Sequence, residues 1–389
     1  MSDNKDKVYS FKRVNPFGLL IRAWGIACLF SLLEFSDYFK IDQISDLIFL
    51  ISLLLFMAIL AKFYNYSNKN KYIVLDQLEI KNSINSFSRI GILSLLAATL
   101  EFYVQGIPIL NNISYSEFGL PVIHVFVYGI AIVWAVYAPL LLYTGHKKVG
   151  YTGSFLILFY SVLIISRHLL LIYIISFSIS YLSLKKYKIR KILFLGIVTI
   201  FVFGEIGTLR MSYILNLNFE DARDYILING GASEIFRDLN VPVSFFWFWL
   251  YIASPIYNLV YNYQIYPLFD INTISVINTL SQLIPETISK RMIDSYRIQF
   301  DNTYLIADNL TASTALARIY IAIGIIGPYL YLMYAYLLNN FFLIISNNNL
   351  RKVLIEKTFG LILILSIFDN MLTMPSFWVA LLIFYFIAR

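Results

Sequence analysis

Long apolar runs separated by short polar connectors dominate this chain, and a run of that length has few ways to fold. A helix that crosses a bilayer needs about 20 consecutive apolar residues, and shorter ones are accommodated by local thinning. Runs of this kind cover residues 17–33, 44–63, 90–107, 120–143, 152–165, 169–184, 192–207, 314–345, 358–371 and 375–388. In lipid their backbone polar groups must be satisfied within the segment, which favours helix. The expected fold class is therefore an all-α polytopic integral membrane protein with roughly ten transmembrane helices. Hydrophobic residues make up 59% and charged residues 14% of the chain. Soluble domains carry about 25% charged residues, so the composition points the same way. The first residues are polar, and the run after them has no small-residue cleavage site, so it reads as a retained anchor.

The net charge of +7 lies in short clusters between the runs. Such clustering orients a membrane protein, with basic loops on the cytoplasmic side, and nucleic acid is not an expected partner. Lys5, Lys7, Lys12 and Arg13 place the N-terminus inside. The connector with Glu34, Asp37 and Asp42 then falls outside, and the loop with Lys69, Lys71, Lys81 and Arg89 inside. His146, Lys147 and Lys148 lie inside, as does the cluster at 185–191. The stretch 152–184 between those clusters is then a hairpin of two short helices, its tip at Ser166, Arg167 and His168. The expected plan is a cytoplasmic tail at 1–16, a seven-helix membrane region at 17–207, a large outer segment at 208–313 and a three-helix region at 314–389. Within the outer segment, 243–260 is apolar and rich in Trp and Tyr. If it crossed, the loop with Arg351, Lys352 and Lys357 would fall outside, so it reads as an interfacial or re-entrant element.

Ionisable groups at membrane depth are costly and mark function. Arg167 sits at the tip of the hairpin, Arg210 closes the seventh run, and Arg318 opens the eighth. All three fall at one outer level, and a ring of guanidinium groups suits a diphosphate, because each planar fork donates two parallel hydrogen bonds. Pairing with Glu205 or Asp308 is the structural alternative for these arginines. His168 follows Arg167 but points about 100° away on a helix, and serves as a candidate base. Arg223, Arg237, Arg291 and Arg297 in the outer segment have acidic neighbours to pair with. Cys28 is the single cysteine and histidines are few, which leaves no plausible metal cluster. No phosphate-cradling glycine loop and no His-Glu-x-x-His pattern occurs, so neither a nucleotide nor a metal cofactor is expected.

Four stretches give the chain a family resemblance. They are Ile165-Ser166-Arg167, Gly207-Thr208-Leu209-Arg210, the stretch from Tyr251 to Asn258, and the stretch from Asn309 to Thr314 leading into Ile323-Gly324-Ile325-Ile326-Gly327. In layout and in these motifs the chain resembles the Wzy-type polymerases of O-antigen and capsule repeat units. Where that family commonly has an acidic residue and Phe before the glycine pair, this chain has Ala322 and Ile323. The resemblance implies a GT-C-like glycosyltransferase of the bacterial inner membrane, active at its outer face without a metal. It would join undecaprenyl-diphosphate-linked glycans, with Arg167, Arg210 and Arg318 on the diphosphates. Arg223, Tyr257 and Asn258 would contact the glycan, and the base would come from His168, Asp308 and Glu205. Membrane lipid, a chain-length regulator and a flippase are the implied partners. An O-antigen ligase shares the layout and is one alternative. A lipid-linked oligosaccharide flippase is another, although the chain lacks the two similar halves common in transporters.

Overall fold

The computed structural model describes residues 8–111, 113, 117–184, 189–266, 268–269, 272–296 and 303–387. Lys5, Lys7, Lys185, Lys186, Lys188 and Arg297 lie outside the described residues. The chain opens with strand β1 (Val8–Lys12), helices α1 (Pro16–Ser31) and α2 (Ile44–Ser67), and strand β2 (Tyr72–Asp76). Helices α3 (Gln77–Gln105), α4 (Pro108–Asn111), α5 (Pro121–Tyr143), α6 (Lys147–Leu163), α7 (Arg167–Leu182) and α8 (Ile189–Leu215) follow. Next come α9 (Phe219–Asn229), α10 (Glu234–Asp238), α11 (Val243–Ile265), α12 (Thr273–Ser281) and α13 (Glu286–Tyr296). The chain closes with α14 (Ala315–Ile323), α15 (Ile326–Ile345), α16 (Asn349–Leu365) and α17 (Pro375–Ile387).

The protein is an all-α membrane protein in its main body. Among the described residues, six helices are long and apolar enough to cross a membrane: α2, α3 with its continuation through α4, α5, the Gly196–Leu215 part of α8, α11 and α15. Helices α1, α7 and α17 are apolar but shorter. Burial separates their roles. The apolar window of α5 is 72% buried and that of α3 only 11%, so α5 is a central post and α3 lies at the rim. The side chains that α3 turns outward include Ile92, Leu95 and Leu96, a surface that hydrocarbon solvates and water does not.

Side-chain caps start many of these helices where the sequence changes character. Asn15 accepts from the Gly18 N–H ahead of Pro16, Ser166 from Leu169, and Asn348 from Arg351. Each satisfies an N–H that the first turn leaves open.

Two poles organise the bundle. At one, β1 and β2 form an antiparallel pair in the register Val8↔Asp76 to Lys12↔Tyr72. Phe11 bridges to Leu184, and the Lys12 N–H donates to Ser183. Asn349 donates to the Val74 carbonyl, and Arg351 lies over the Tyr385 ring. The segment before α1, the α2–α3 connection, the end of α7, the α15–α16 turn and the end of α17 thus share the sheet pole. The opposite pole gathers the end of α1, the start of α2, the α6–α7 turn and the α16–α17 turn. There Ser36 bridges to Ala232, Ala315 N–H donates to Ser366, and Glu286 N–H donates to Thr373.

Two expectations change. The apolar run 314–345 is not one helix. It breaks at Gly324, whose φ of 79° and ψ of −157° are open essentially to glycine alone. There the Ile325 N–H donates to the Leu268 carbonyl, and a side chain at Gly324 would overlap that carbonyl. Arg318 accordingly sits on a short helix across the pole and not inside a long span. Gly324→Ala is expected to lower stability by about 2 kcal/mol, read as a lower unfolding midpoint of the protein in detergent. The second change concerns 243–260, which belongs to a continuous helix running through Pro255, so the re-entrant alternative is set aside. Near its start, Ser244 donates to Glu205 of α8, and Trp249 Nε1 donates to Phe30 O at 2.7 Å. Near its end, Tyr263 stacks on Phe49 and Gln264 donates to Asp46 in the first turn of α2. Both ends of α11 therefore sit at the pole opposite the sheet.

Candidate functional site

At that pole α7, α8, α11, α14 and the turn after α16 converge. The α6–α7 turn passes through Ile165 at φ 53°, and Ser166 caps α7, so Arg167 enters its first turn. Its guanidinium carbon lies 5.8 Å from the Phe203 ring centroid on α8. Phe203 in turn packs on Tyr251 of α11 with centroids 5.0 Å apart, and Tyr251 on Phe368 at 4.9 Å. Arg167 and Arg210 lie near enough for their charges to repel, and Tyr251 lies near both. Tyr251 is also a neighbour of Asp369. From the other side Arg318 reaches Asp369, Nη2 to Oδ1, at 3.0 Å. Tyr331 of α15 completes the set as a further neighbour of Asp369.

The three arginines expected from the sequence are thus brought to one pole, linked through Tyr251 and Asp369. Their surroundings differ. Arg210 is exposed. Arg318 is spoken for by Asp369, and the partners foreseen for it, Glu205 and Asp308, are not the ones it takes. Arg167 is half-buried, and its Nη1 is buried with no hydrogen-bond partner among the described residues. A buried guanidinium donor left unsatisfied costs about 1–3 kcal/mol or more, which a ligand oxygen would recover. Pro255 adds an acceptor nearby. Lacking an N–H, it leaves the Tyr251 carbonyl without the donor a helix normally supplies.

The remaining candidates resolve one by one. His168 turns away from Arg167, as their angular separation on a helix requires. Its ring stacks on Tyr128, whose hydroxyl lies 2.9 Å from Nδ1, while Nε2 is buried without a partner among the described residues. If the phenol donates, the proton resides on Nε2, and His168 presents a donor and not a base. Glu205 has both oxygens engaged, Oε1 by Ser244 and Oε2 by Arg223 at 3.5 Å. Arg223 is held by Glu205, by Glu220 at 3.1 Å and by the face of Phe219. Its guanidinium is occupied within the protein. Asp308 is exposed on the turn before Leu310.

For Tyr257 and Asn258 the structure gives a different role from the glycan contact inferred from the sequence. Tyr257 is buried and its hydroxyl donates to Ser31 O at 2.6 Å. Asn258, also buried, donates to the carbonyls of Leu310 and Ala312 and accepts from the Ile306 N–H. Their polar atoms clamp the ends of α1 and the loop ahead of α14, which fixes where Arg318 begins its helix.

Asp369 is the residue that the sequence reading passed over. It is the only acidic residue after Glu356, and it lies at the end of an otherwise apolar run. Treating every ionisable group at membrane depth as functional would have found it. Among the described residues no group of three or more His, Cys, Asp or Glu side chains is arranged to hold a metal ion. What the site offers is three guanidinium groups against one carboxylate, with the Tyr251 and Tyr331 phenols near that carboxylate: a net excess of positive charge that can accommodate an anion. Comparison of the chain with protein-family models, with curated proteins and with solved structures finds no match.

Proposed function

We propose that the protein is a lipid-diphosphate-dependent glycosyltransferase of the Wzy type. In this reading it joins undecaprenyl-diphosphate-linked repeat units into O-antigen or capsular polysaccharide. The observation that carries the proposal is the gathering of Arg167, Arg210 and Arg318 around Tyr251 and Asp369, with a buried Arg167 donor unsatisfied among the described residues. The acceptor hydroxyl attacks the anomeric carbon of the donor glycan, the bond from that carbon to the diphosphate oxygen breaks, and the hydroxyl proton passes to Asp369. Arg167 and Arg210 hold the departing diphosphate, whose charge grows as the bond breaks. Arg318 positions Asp369 through their ion pair.

The membrane arrangement belongs to the same proposal. Helices α1, α2, α3, α5, α6, α7, α8, α15, α16 and α17 cross, giving ten spans in a GT-C-like bundle of the bacterial inner membrane. The sheet pole, with the N-terminus, faces the cytoplasm, because the basic connectors gather there. Helices α9 to α14 lie at the outer interface, α11 among them, since both its ends touch one pole. Exposed Asp238 and Thr273 flank α11. Single cysteines at both positions are expected to react with an impermeant maleimide in intact cells, and protection of one of them would mean that α11 crosses.

Deletion of the gene in its native host tests the activity. Surface polysaccharide should collapse from a ladder to a single repeat, and purified protein should rebuild the ladder in excess chelator from lipid-linked repeats alone. Loss of all surface glycan would point to a flippase, and a requirement for lipid A core as acceptor to a ligase. A chain-length regulator and the flippase that delivers the repeats are the partners this reading calls for.

A further inference from the structure

A groove of about 420 Å³ runs between α3, α5 and α6, at the flank of the bundle away from the arginines. Ala98 of α3, Ile130 and Trp134 of α5, and Leu156 and Tyr160 of α6 form its walls, and Lys148 stands at its rim. Leu95 in its wall, and Leu96, Phe155 and Phe159 beside it on α3 and α6, are all exposed, so its mouth is rimmed by apolar side chains, as suits a surface that faces hydrocarbon. Lys148 lies in the first turn of α6 beside exposed Lys147, so one end of the groove is cationic and the rest mainly apolar. This polarity is that of a lipid with an anionic headgroup.

Dimensions choose between a lipid chain and a partner helix. From Lys148 to Tyr160 the groove follows α6 for about 18 Å at 1.5 Å per residue, close to the ~15 Å depth of one leaflet's hydrocarbon. Spread over that length, about 420 Å³ of space makes a channel about 8 Å in bore, narrower than the roughly 10–12 Å breadth of a helix with its side chains, whereas one extended hydrocarbon chain is slender enough to enter. We infer that the groove binds one acyl chain of an anionic glycerophospholipid from the leaflet at the sheet pole, with Lys148 on its phosphate. The site is independent of the reaction proposed at the other pole.

Trp134 in the wall is a built-in reporter. In nanodiscs of phosphatidylcholine doped with acyl-brominated phosphatidylglycerol, its fluorescence should be quenched saturably at low mole fractions. The saturable component is read as the difference between wild type and Trp134→Phe. Lys148→Gln should raise the half-saturation point about fivefold, the loss of one basic contact to an anionic leaflet. Ala98→Phe should abolish saturation by filling the groove, and serves as the test if Trp134→Phe does not fold. Quenching that rises linearly with bromolipid and is indifferent to headgroup would overturn the site. So would disulfide cross-linking of α3 to α6 between two copies, which would put a helix over the groove.

Discussion

Arg167→Lys is expected to reduce polysaccharide synthesis about a hundredfold or more, the loss that follows removal of one oriented donor from a charge-stabilising site. The variant keeps the charge but gives up the planar fork. The lost fork includes Nη1, the donor that is buried and without a partner among the described residues. The guanidinium lies over the Phe203 ring, 5.8 Å from its centroid, and an ammonium on a flexible stem cannot present the same planar fork. Arg318→Lys should cost less activity, because an ammonium still pairs with Asp369. Exposed Arg291 on α13 provides the control and should tolerate lysine. The readout is ladder intensity in the deletion host at matched membrane protein level. A normal ladder from Arg167→Lys would remove the diphosphate from this site.

Arg13→Ala should be the most destabilising single change at the sheet pole, by about 3–5 kcal/mol, the cost of leaving a buried charge without its partner. Arg13 Nε pairs with Glu356 Oε1, which also accepts from the Tyr64 hydroxyl at 2.6 Å, and the Glu356 side chain is 1% exposed. Lys357, next in sequence and equally buried, donates to Ser180 Oγ at 3.1 Å and lies over the Phe11 ring. Loss of Arg13 leaves Glu356 to the Tyr64 phenol and the Val14 N–H, with no ion pair, whereas Glu356→Gln keeps a neutral group on that phenol and is expected to cost less. Unfolding midpoints in detergent check the order, and equal midpoints for wild type and Arg13→Ala would show that the pair contributes no net stability.

Much of the helical layout is legible in the sequence, because an apolar run in lipid has helix as its ready solution. The hairpin of α6 and α7 was legible for a second reason, the basic residues on both sides of 152–184. Gly324 was not, since glycine is tolerated within membrane helices and only the backbone angle shows that here it turns a corner. The pairing of β1 with β2 was equally hidden, two five-residue strands lying far apart in the chain. At the site, residue type identified the arginines. It did not reveal that Tyr257 and Asn258 aim their polar groups inward, because a tyrosine or asparagine next to a motif reads the same whether it meets a ligand or its own backbone.

Asp76 has two duties. It is the last residue of β2, paired with Val8, and its carboxylate caps α3 by accepting from the Leu78 N–H. The strand register and the rotational setting of α3 are therefore one variable. A slip of one residue reverses the faces of a strand, and moving the start of a helix by one residue turns its whole surface by about 100°. The wall that α3 gives to the groove would then swing away from α5. The first strand of the chain acts as an index pin for a helix whose far end lies some 40 Å away at 1.5 Å per residue, and removing it should blur the groove before it disturbs the arginines.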